Sequence, residues 1–176
     1  MRWNSGGFIS QRIVERLRRR VLAAMAARGG GYETYPARAI DGPFIVLTNE
    51  YAGSDGDIFP TAIQLDKLAP VIGKRSWGGV IGIRGDKPLV DGGEPTQPEY
   101  AWWDPAHPWA VENRGVIPDI EVTDLPQDVA RGLDAQLDRG IAEVTSRMTQ
   151  RKPLDKHYTP APDRSRKAFE KRETVR

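Results

Sequence analysis

Ser54 is the residue best placed to do covalent chemistry. It stands in Asn49-Glu50-Tyr51-Ala52-Gly53-Ser54-Asp55-Gly56-Asp57, after the apolar run Phe44-Ile45-Val46-Leu47-Thr48 and before apolar residues at helical spacing. The run is short and β-branched, which is the pattern of a strand buried on both faces of an α/β sheet. Gly53 and Gly56 allow backbone angles closed to other residues, so a tight strand-to-helix turn can present the Ser54 hydroxyl. The first amides of the following helix have no partner within it, which points the N–H of Asp55 at any oxyanion formed there. The same Gly-Ser-Asp-Gly also reads as a helix N-cap, in which the hydroxyl satisfies an orphan amide and does no chemistry. Local pattern leaves both readings open.

A serine hydroxyl is a weak nucleophile until a base takes its proton. The chain has two histidines, His107 in Asp104-Pro105-Ala106-His107-Pro108 and His157 near the C-terminal end. Both read as solvent-exposed loop residues. His107 lies five residues before Glu112, but its proline-bounded loop offers no partner to orient an imidazole. Zero cysteines exclude disulfides, thiolate metal sites and a cysteine nucleophile. No cofactor or metal is expected.

The elements that must position these groups follow from periodicity. Ile9, Ile13, Val14, Leu17, Val21, Leu22 and Met25 predict an amphipathic helix from Ile9 to about Ala26, stopped by Gly29-Gly30-Gly31. After Ser54, Ile58, Phe59, Ala62, Ile63 and Leu68 predict a buried helix, with Pro60 in its first turn and Asp57 as its effective cap. Val71-Ile72-Gly73-Lys74 reads as the next strand, so strand, helix and strand make a parallel βαβ unit. From Trp77 to Val122, four short strand-like pieces are predicted: Val80 to Arg84, Pro88 to Val90, Glu99 to Trp103 and Trp109 to Glu112. Gly78-Gly79 reads as a backbone necessity. Val129, Leu133, Leu137, Ile141, Val144 and Met148 predict one final helix that packs on the body or mediates assembly.

Five ordered blocks, Arg2-Trp3-Asn4-Ser5-Gly6-Gly7-Phe8, Thr48 to Asp57, Arg75-Ser76-Trp77-Gly78-Gly79-Val80, Thr96-Gln97-Pro98-Glu99-Tyr100, and Val111-Glu112-Asn113 leading to Gly115-Val116-Ile117-Pro118-Asp119, resemble the C-terminal catalytic domain of tricorn protease. That domain belongs among the C-terminal processing peptidases, and the resemblance runs from Arg2 to about Val144. It implies an α/β core of the Clp protease and crotonase type, built of stacked βαβ units with a peripheral β region and a C-terminal helix. It also implies that Ser54 is the nucleophile of a serine peptidase acting on peptides through an acyl-enzyme. The Gly6-Gly7 turn would supply an oxyanion amide, assigned to Gly7 with Gly6 as the neighbour one residue away, and Asp55 would supply the other. Glu112 matches the glutamate that, through a second serine, maintains the histidine base. That histidine and its serine lie in an earlier part of the family's chains, so this sequence is expected to be a C-terminal piece that is inactive or incomplete alone. A homo-oligomer is implied by the resemblance.

Length and composition fit this reading. A chain of 176 residues with 39% hydrophobic residues is one soluble domain by the usual prior. Residues 1–149 are expected to form the catalytic domain and 150–176 a disordered tail. Residues 151–176 hold nine Lys or Arg against four Asp or Glu, +5, which leaves the rest at −3 within the total of +2. The tail lacks the interleaved aromatics of a nucleic-acid reader, and no run is apolar enough for a membrane span or signal peptide. Neither nucleic acid nor membrane is expected as a partner, and the location expected is cytoplasmic. Two other classes compete: a noncatalytic interaction module that keeps the peptidase fold, and a crotonase-type acyl-CoA enzyme, against which the nucleophile block argues.

Overall fold

The computed structural model describes residues 1–27, 31–85, 87–105, 108–109, 111–152 and 163–167. The chain runs α1 (Ser10–Leu17), β1 (Ala23–Ala26), β2 (Tyr32–Tyr35), β3 (Val46–Thr48), α2 (Asp55–Leu65), β4 (Val71–Gly73), β5 (Gly82–Arg84), β6 (Gln97–Tyr100), β7 (Ile120–Glu121), α3 (Pro126–Val129) and α4 (Ala135–Thr149). Its central sheet has the order β3-β4-β7, with both pairings parallel. The expected α/β fold, with strand, helix and parallel strand around Ser54, is the one observed.

Strand alternation divides the two layers of helix. Val46 points to one face and joins Phe59, Ile63 and Val71 in a buried cluster completed by Ile13, Val14 and Leu17 of α1. Leu47 and Ile45 point to the other face, where they meet α4 at Gly140. A Cβ there would lie 3.1 Å from Ile45 Cδ1 and 3.2 Å from Leu47 Cδ2. The sheet is thus covered by α1 and α2 on one side and by α4 on the other, as a strand apolar on both faces requires.

Several elements differ from expectation, each for a physical reason. The helix predicted from Ile9 to Ala26 ends at Leu17, and Ala23–Ala26 instead pairs antiparallel with Tyr32–Tyr35. Both strands are largely exposed, so beyond Leu17 the apolar spacing has no second surface to bury against. Gly29 and Gly30 of the expected helix stop lie outside the described residues, and the chain before them is a strand, not a helix. Pro60 is the sixth residue of α2, outside the first turn, and the Thr61 hydroxyl donates back to the Asp57 carbonyl at 2.8 Å. Pro88 to Val90 forms no strand; Leu89 and Gly93 close a turn through a 2.7 Å bond. Val111 to Arg114 is also a turn, which places Glu112 at a bend and not in the expected strand. The peripheral β region is reduced to β5 and β6, which pair with each other.

The final helix is broken. Gly132 has φ of 77° between α3 and α4, and Asp134 restarts the chain by accepting from the Leu137 amide at 2.8 Å. The residues of α4 facing inward are Gln136 and Gly140, both buried, while its Leu137, Ile141 and Met148, and Leu133 before it, stay exposed. Of the predicted apolar spacing only Val144 is half-buried, and the rest stays open to water. Most of the expected tail lies outside the described residues, although Arg151 forms an ion pair with Asp41.

Arg2 fastens the N-terminal segment to this helix. Its guanidinium makes two 2.7 Å bonds to the Asp134 carboxylate, and its side chain is only 12% exposed. Bidentate pairing of this kind is stronger than a surface ion pair. Arg2→Ala is expected to lower stability by roughly 1–2 kcal/mol, read as a lower midpoint in urea with an unchanged denaturant slope.

Candidate active site

Ser54 sits directly before α2 with φ of 54° and ψ of −114°, a conformation that a non-glycine residue holds only under constraint from its surroundings. Its side chain makes no capping hydrogen bond to the helix. The bland alternative, a serine spent on an orphan amide, is not what the structure contains. The turn is held from outside: the Ser54 amide donates to the Gly79 carbonyl at 2.9 Å, and the Gly53 amide to the Asn4 carbonyl at 2.8 Å. Trp77 closes over Gly53, where a Cβ would come within 2.6 Å of the ring.

The Gly6-Gly7 turn lies against this serine. A Cβ on Gly6 would be 3.2 Å from Ser54 Cβ and 3.3 Å from its Oγ, and Gly6 and Gly7 have φ of 135° and 130°. The two glycines differ in what their amides do. Gly6 donates to Asn4 Oδ1 at 2.8 Å, whereas the Gly7 N–H has no partner among the described residues. The Asp55 N–H, at the first position of α2, is also unpartnered among them. Two spare donors thus line the same cleft as the half-buried Ser54.

The Asp55 carboxylate is engaged by the start of α1. Asp55 is 2% exposed, and its Oδ2 accepts from the Ile9 and Ser10 amides at 3.1 and 3.0 Å. Ile9 provides no side-chain cap of its own, so a carboxylate 45 residues along the chain caps α1 in its place. The segment carrying Gly7 is thereby tied to the helix that begins at Asp55.

Asp57 is not the effective cap of α2. It is fully buried, and its carboxylate reaches across to the loop that supports the serine. Oδ1 accepts from Ser76 Oγ at 2.5 Å and from the Gly78 amide at 2.9 Å; Oδ2 accepts from the Gly79 amide at 3.2 Å. Ser76 Oγ accepts in turn from the Val116 amide at 2.7 Å. Burial pushes the Asp57 carboxyl above the ordinary carboxylate value, against the hydrogen bonds from Ser76, Gly78 and Gly79 that pull it down. Neither Asp57 nor Ser76 stood out in the sequence as part of the site. An acid three residues after the serine was visible there, read as a helix cap, but nothing local names partners 19 to 22 residues away.

Glu112 continues the same arrangement. Its Oε2 accepts from the Val80 and Ile81 amides at 2.8 and 3.0 Å. Four consecutive amides, Gly78 to Ile81, are therefore held by two carboxylates, two each. Ser54, Asp55, Gly7 and Glu112 all line one cleft of about 730 Å³, so the four expected site residues are brought together from three parts of the chain. His107 and His157 lie outside the described residues, as does any relation between them and the cleft.

The profile of Peptidase family S41 matches residues 1–122, which include every residue of this cleft. The chain belongs to peptidase family S41. It is 49% identical over 142 residues to tricorn protease homolog 1 of Streptomyces coelicolor, covering 81% of this chain and 13% of that protein. Against the tricorn protease of Thermoplasma volcanium the identity is 45% over 144 residues, 82% of this chain and 14% of that one. A crystal structure of the tricorn protease superposes with a TM-score of 0.81 at 42% identity, covering 85% of this chain and 15% of the other. This S41 chain thus spans about one seventh of the length of the relatives it matches. Among the described residues, no helix is long and apolar enough to cross a membrane, and no cluster of His, Cys, Asp and Glu is arranged to hold a metal ion.

Proposed function

We propose that this chain carries the nucleophile of a serine-type peptidase that cleaves peptides through an acyl-enzyme at Ser54. One observation supports the reading above all: a hydroxyl on a positive-φ turn, relieved of capping duty, lies beside two amides without partners, those of Gly7 and Asp55. The hydroxyl oxygen attacks the peptide carbonyl carbon while its proton passes to a base. The carbonyl oxygen, now negative, accepts from the Gly7 and Asp55 N–H groups, each such donor being worth about 10²–10³ in rate. Collapse breaks the C–N bond, and the leaving amine takes the proton from the base. Water then attacks the ester by the same steps and releases Ser54.

The base is a histidine supplied from outside the cleft described above. By resemblance to the family it is oriented through a serine and Glu112, whose Oε2 meanwhile fixes the Val80 and Ile81 amides. The whole reaction belongs to a longer or assembled protein, of which these residues are the nucleophile and oxyanion part. Assembly as a homo-oligomer is supported by exposed Leu137, Ile141 and Met148 on α4, with exposed Leu133 just before it. A cytoplasmic location completes the reading.

The test is hydrolysis of a fluorogenic peptide by the full chain, alone and with the histidine-bearing segment of a relative added. The combination is expected to turn over and the chain alone to remain near background. Ser54→Ala is expected to abolish the combined activity, and Glu112→Gln to reduce it with the far-ultraviolet circular dichroism unchanged. A combination that never turns over, while the chain binds peptides regardless of Ser54, would favour the noncatalytic module.

A further inference from the structure

We infer that Trp77 is a positioning residue for the reaction: its indole ring secures the hydrogen bond that keeps Ser54 in its strained turn, and so fixes where the nucleophile points. The inference rests on the nucleophile reading and deepens it by naming a residue that acts through Ser54. With φ of 54° and ψ of −114°, Ser54 holds a backbone state that lasts only where the surroundings enforce it. Part of that enforcement comes from the segment 77–79. The Ser54 amide donates to the Gly79 carbonyl at 2.9 Å, and the Trp77 amide donates to the Ala52 carbonyl at 2.8 Å. Residues 52–54 and 77–79 are thereby held side by side.

The Trp77 ring lies on this pairing. A Cβ on Gly53 would be 2.6 Å from ring atom Cε3, and a Cβ on Gly79 would be 2.5 Å from Cζ3 and 2.8 Å from Cε3. One edge of the six-membered ring thus occupies the side-chain space of both glycines. Gly53 precedes Ser54 and Gly79 supplies its acceptor, so the ring spans the two ends of the hydrogen bond between them. Trp77 is 68% exposed, and neither buried apolar cluster includes it. Its contact with the glycine backbone, not a place in the core, defines what the ring does. With the ring in place, water is kept from one side of the Ser54 amide bond and the turn is held against unwinding. Without it, water competes for the Gly79 carbonyl, and relaxation of Ser54 moves its Oγ relative to the Gly7 and Asp55 amides. A displacement of about 1 Å at reacting groups costs about 10²-fold in rate. Such a loss falls on the transition state and leaves the bound peptide much as it was.

The experiment compares Trp77→Ala and Trp77→Phe with the unsubstituted full chain, each mixed with the histidine-bearing segment of a relative. Trp77→Ala is expected to lower kcat for a fluorogenic peptide by about tenfold or more, with KM changed less than about threefold. Trp77→Phe keeps a six-membered ring for the two glycines and is expected to recover most of kcat. A second readout needs no activity: hydrogen exchange at the Ser54 amide, followed by NMR in the full chain alone and compared with the amides of β4. It is expected to speed up about tenfold or more relative to β4 in Trp77→Ala and to stay near the unsubstituted rate in Trp77→Phe. Should Trp77→Ala lose its circular dichroism, Trp77→Leu, apolar but without a ring, takes its place with the same expectations. A Ser54 amide as protected in the ringless variant as in the unsubstituted chain, a Phe variant as impaired as the ringless one, or a loss confined to KM would overturn the inference. Failure of the nucleophile reading would look different: the exchange pattern at Ser54 would hold, but the unsubstituted combination itself would never turn over.

Discussion

Asp57→Ala is expected to destabilise the protein by about 3–5 kcal/mol, a large part of the stability of an ordinary domain. The substitution removes the acceptor for the buried Ser76 hydroxyl and Gly78 amide and for the half-buried Gly79 amide. Unmaking a buried hydrogen bond costs more than the bond is worth, because the partner left behind still pays its desolvation. The loss spreads to the serine, whose amide bonds the Gly79 carbonyl. Denaturant unfolding of the full chain measures it; a change below 1 kcal/mol would mean that water replaces the carboxylate at little cost.

The same residue gives stability a pH dependence of known sign. Because the folded-state pKa of Asp57 is raised, the native protein holds this proton more tightly than the unfolded chain does. Its contribution is fully present below the ordinary value of 3.8 and is lost as pH rises through the raised value. Compared with Asp57→Asn, which cannot titrate, the native protein is expected to lose relative stability across that interval. A gap that widens with rising pH would show that the hydrogen bonds to the ionised form outweigh burial.

Asp55→Ala is expected to lower peptide hydrolysis by the complemented protein about 10²–10³-fold, with most of the loss in kcat. The Asp55 amide survives this substitution; what disappears is the carboxylate holding Ile9 and Ser10. Without it the turn carrying Gly7 is no longer tied to α2, and a misplaced donor is lost from the transition state more than from the bound substrate. Asp55→Asn keeps an acceptor at the same place and is expected to restore much of kcat. A purely structural role would make both variants lose activity in proportion to stability, with no recovery specific to Asn.

The part of this site legible in the sequence is the part made by neighbours. The apolar strand before Ser54, the glycines around it and the apolar helix after it belong to one continuous segment, so the turn and the parallel βαβ unit could be read locally. The role of Asp57 could not, because it depends on where folding puts Ser76 and the two glycines. The same limit explains the Asp55 carboxylate, which caps α1 45 residues away in the sequence. Periodicity also overreached where burial did not follow it. Val21, Leu22 and Met25 continue a helical pattern, but Leu22 is 70% exposed and the chain there turns into a hairpin. On α4 the apolar spacing is real, yet the sheet takes Gln136 and Gly140. Close approach to Ile45 and Leu47 selects small size at that contact, which a hydrophobic pattern does not reveal.

Fluorophosphonate labelling followed by mapping of the adduct tests the central claim most directly. The probe's phosphorus is captured only by a serine that a base activates and whose tetrahedral oxyanion is stabilised. The full chain mixed with the histidine-bearing segment of a relative is expected to carry one adduct, on Ser54, absent from Ser54→Ala and much reduced in the chain alone. An adduct on another serine, or strong labelling of the chain alone that is lost in His107→Ala, would contradict the account by placing the nucleophile or its base elsewhere.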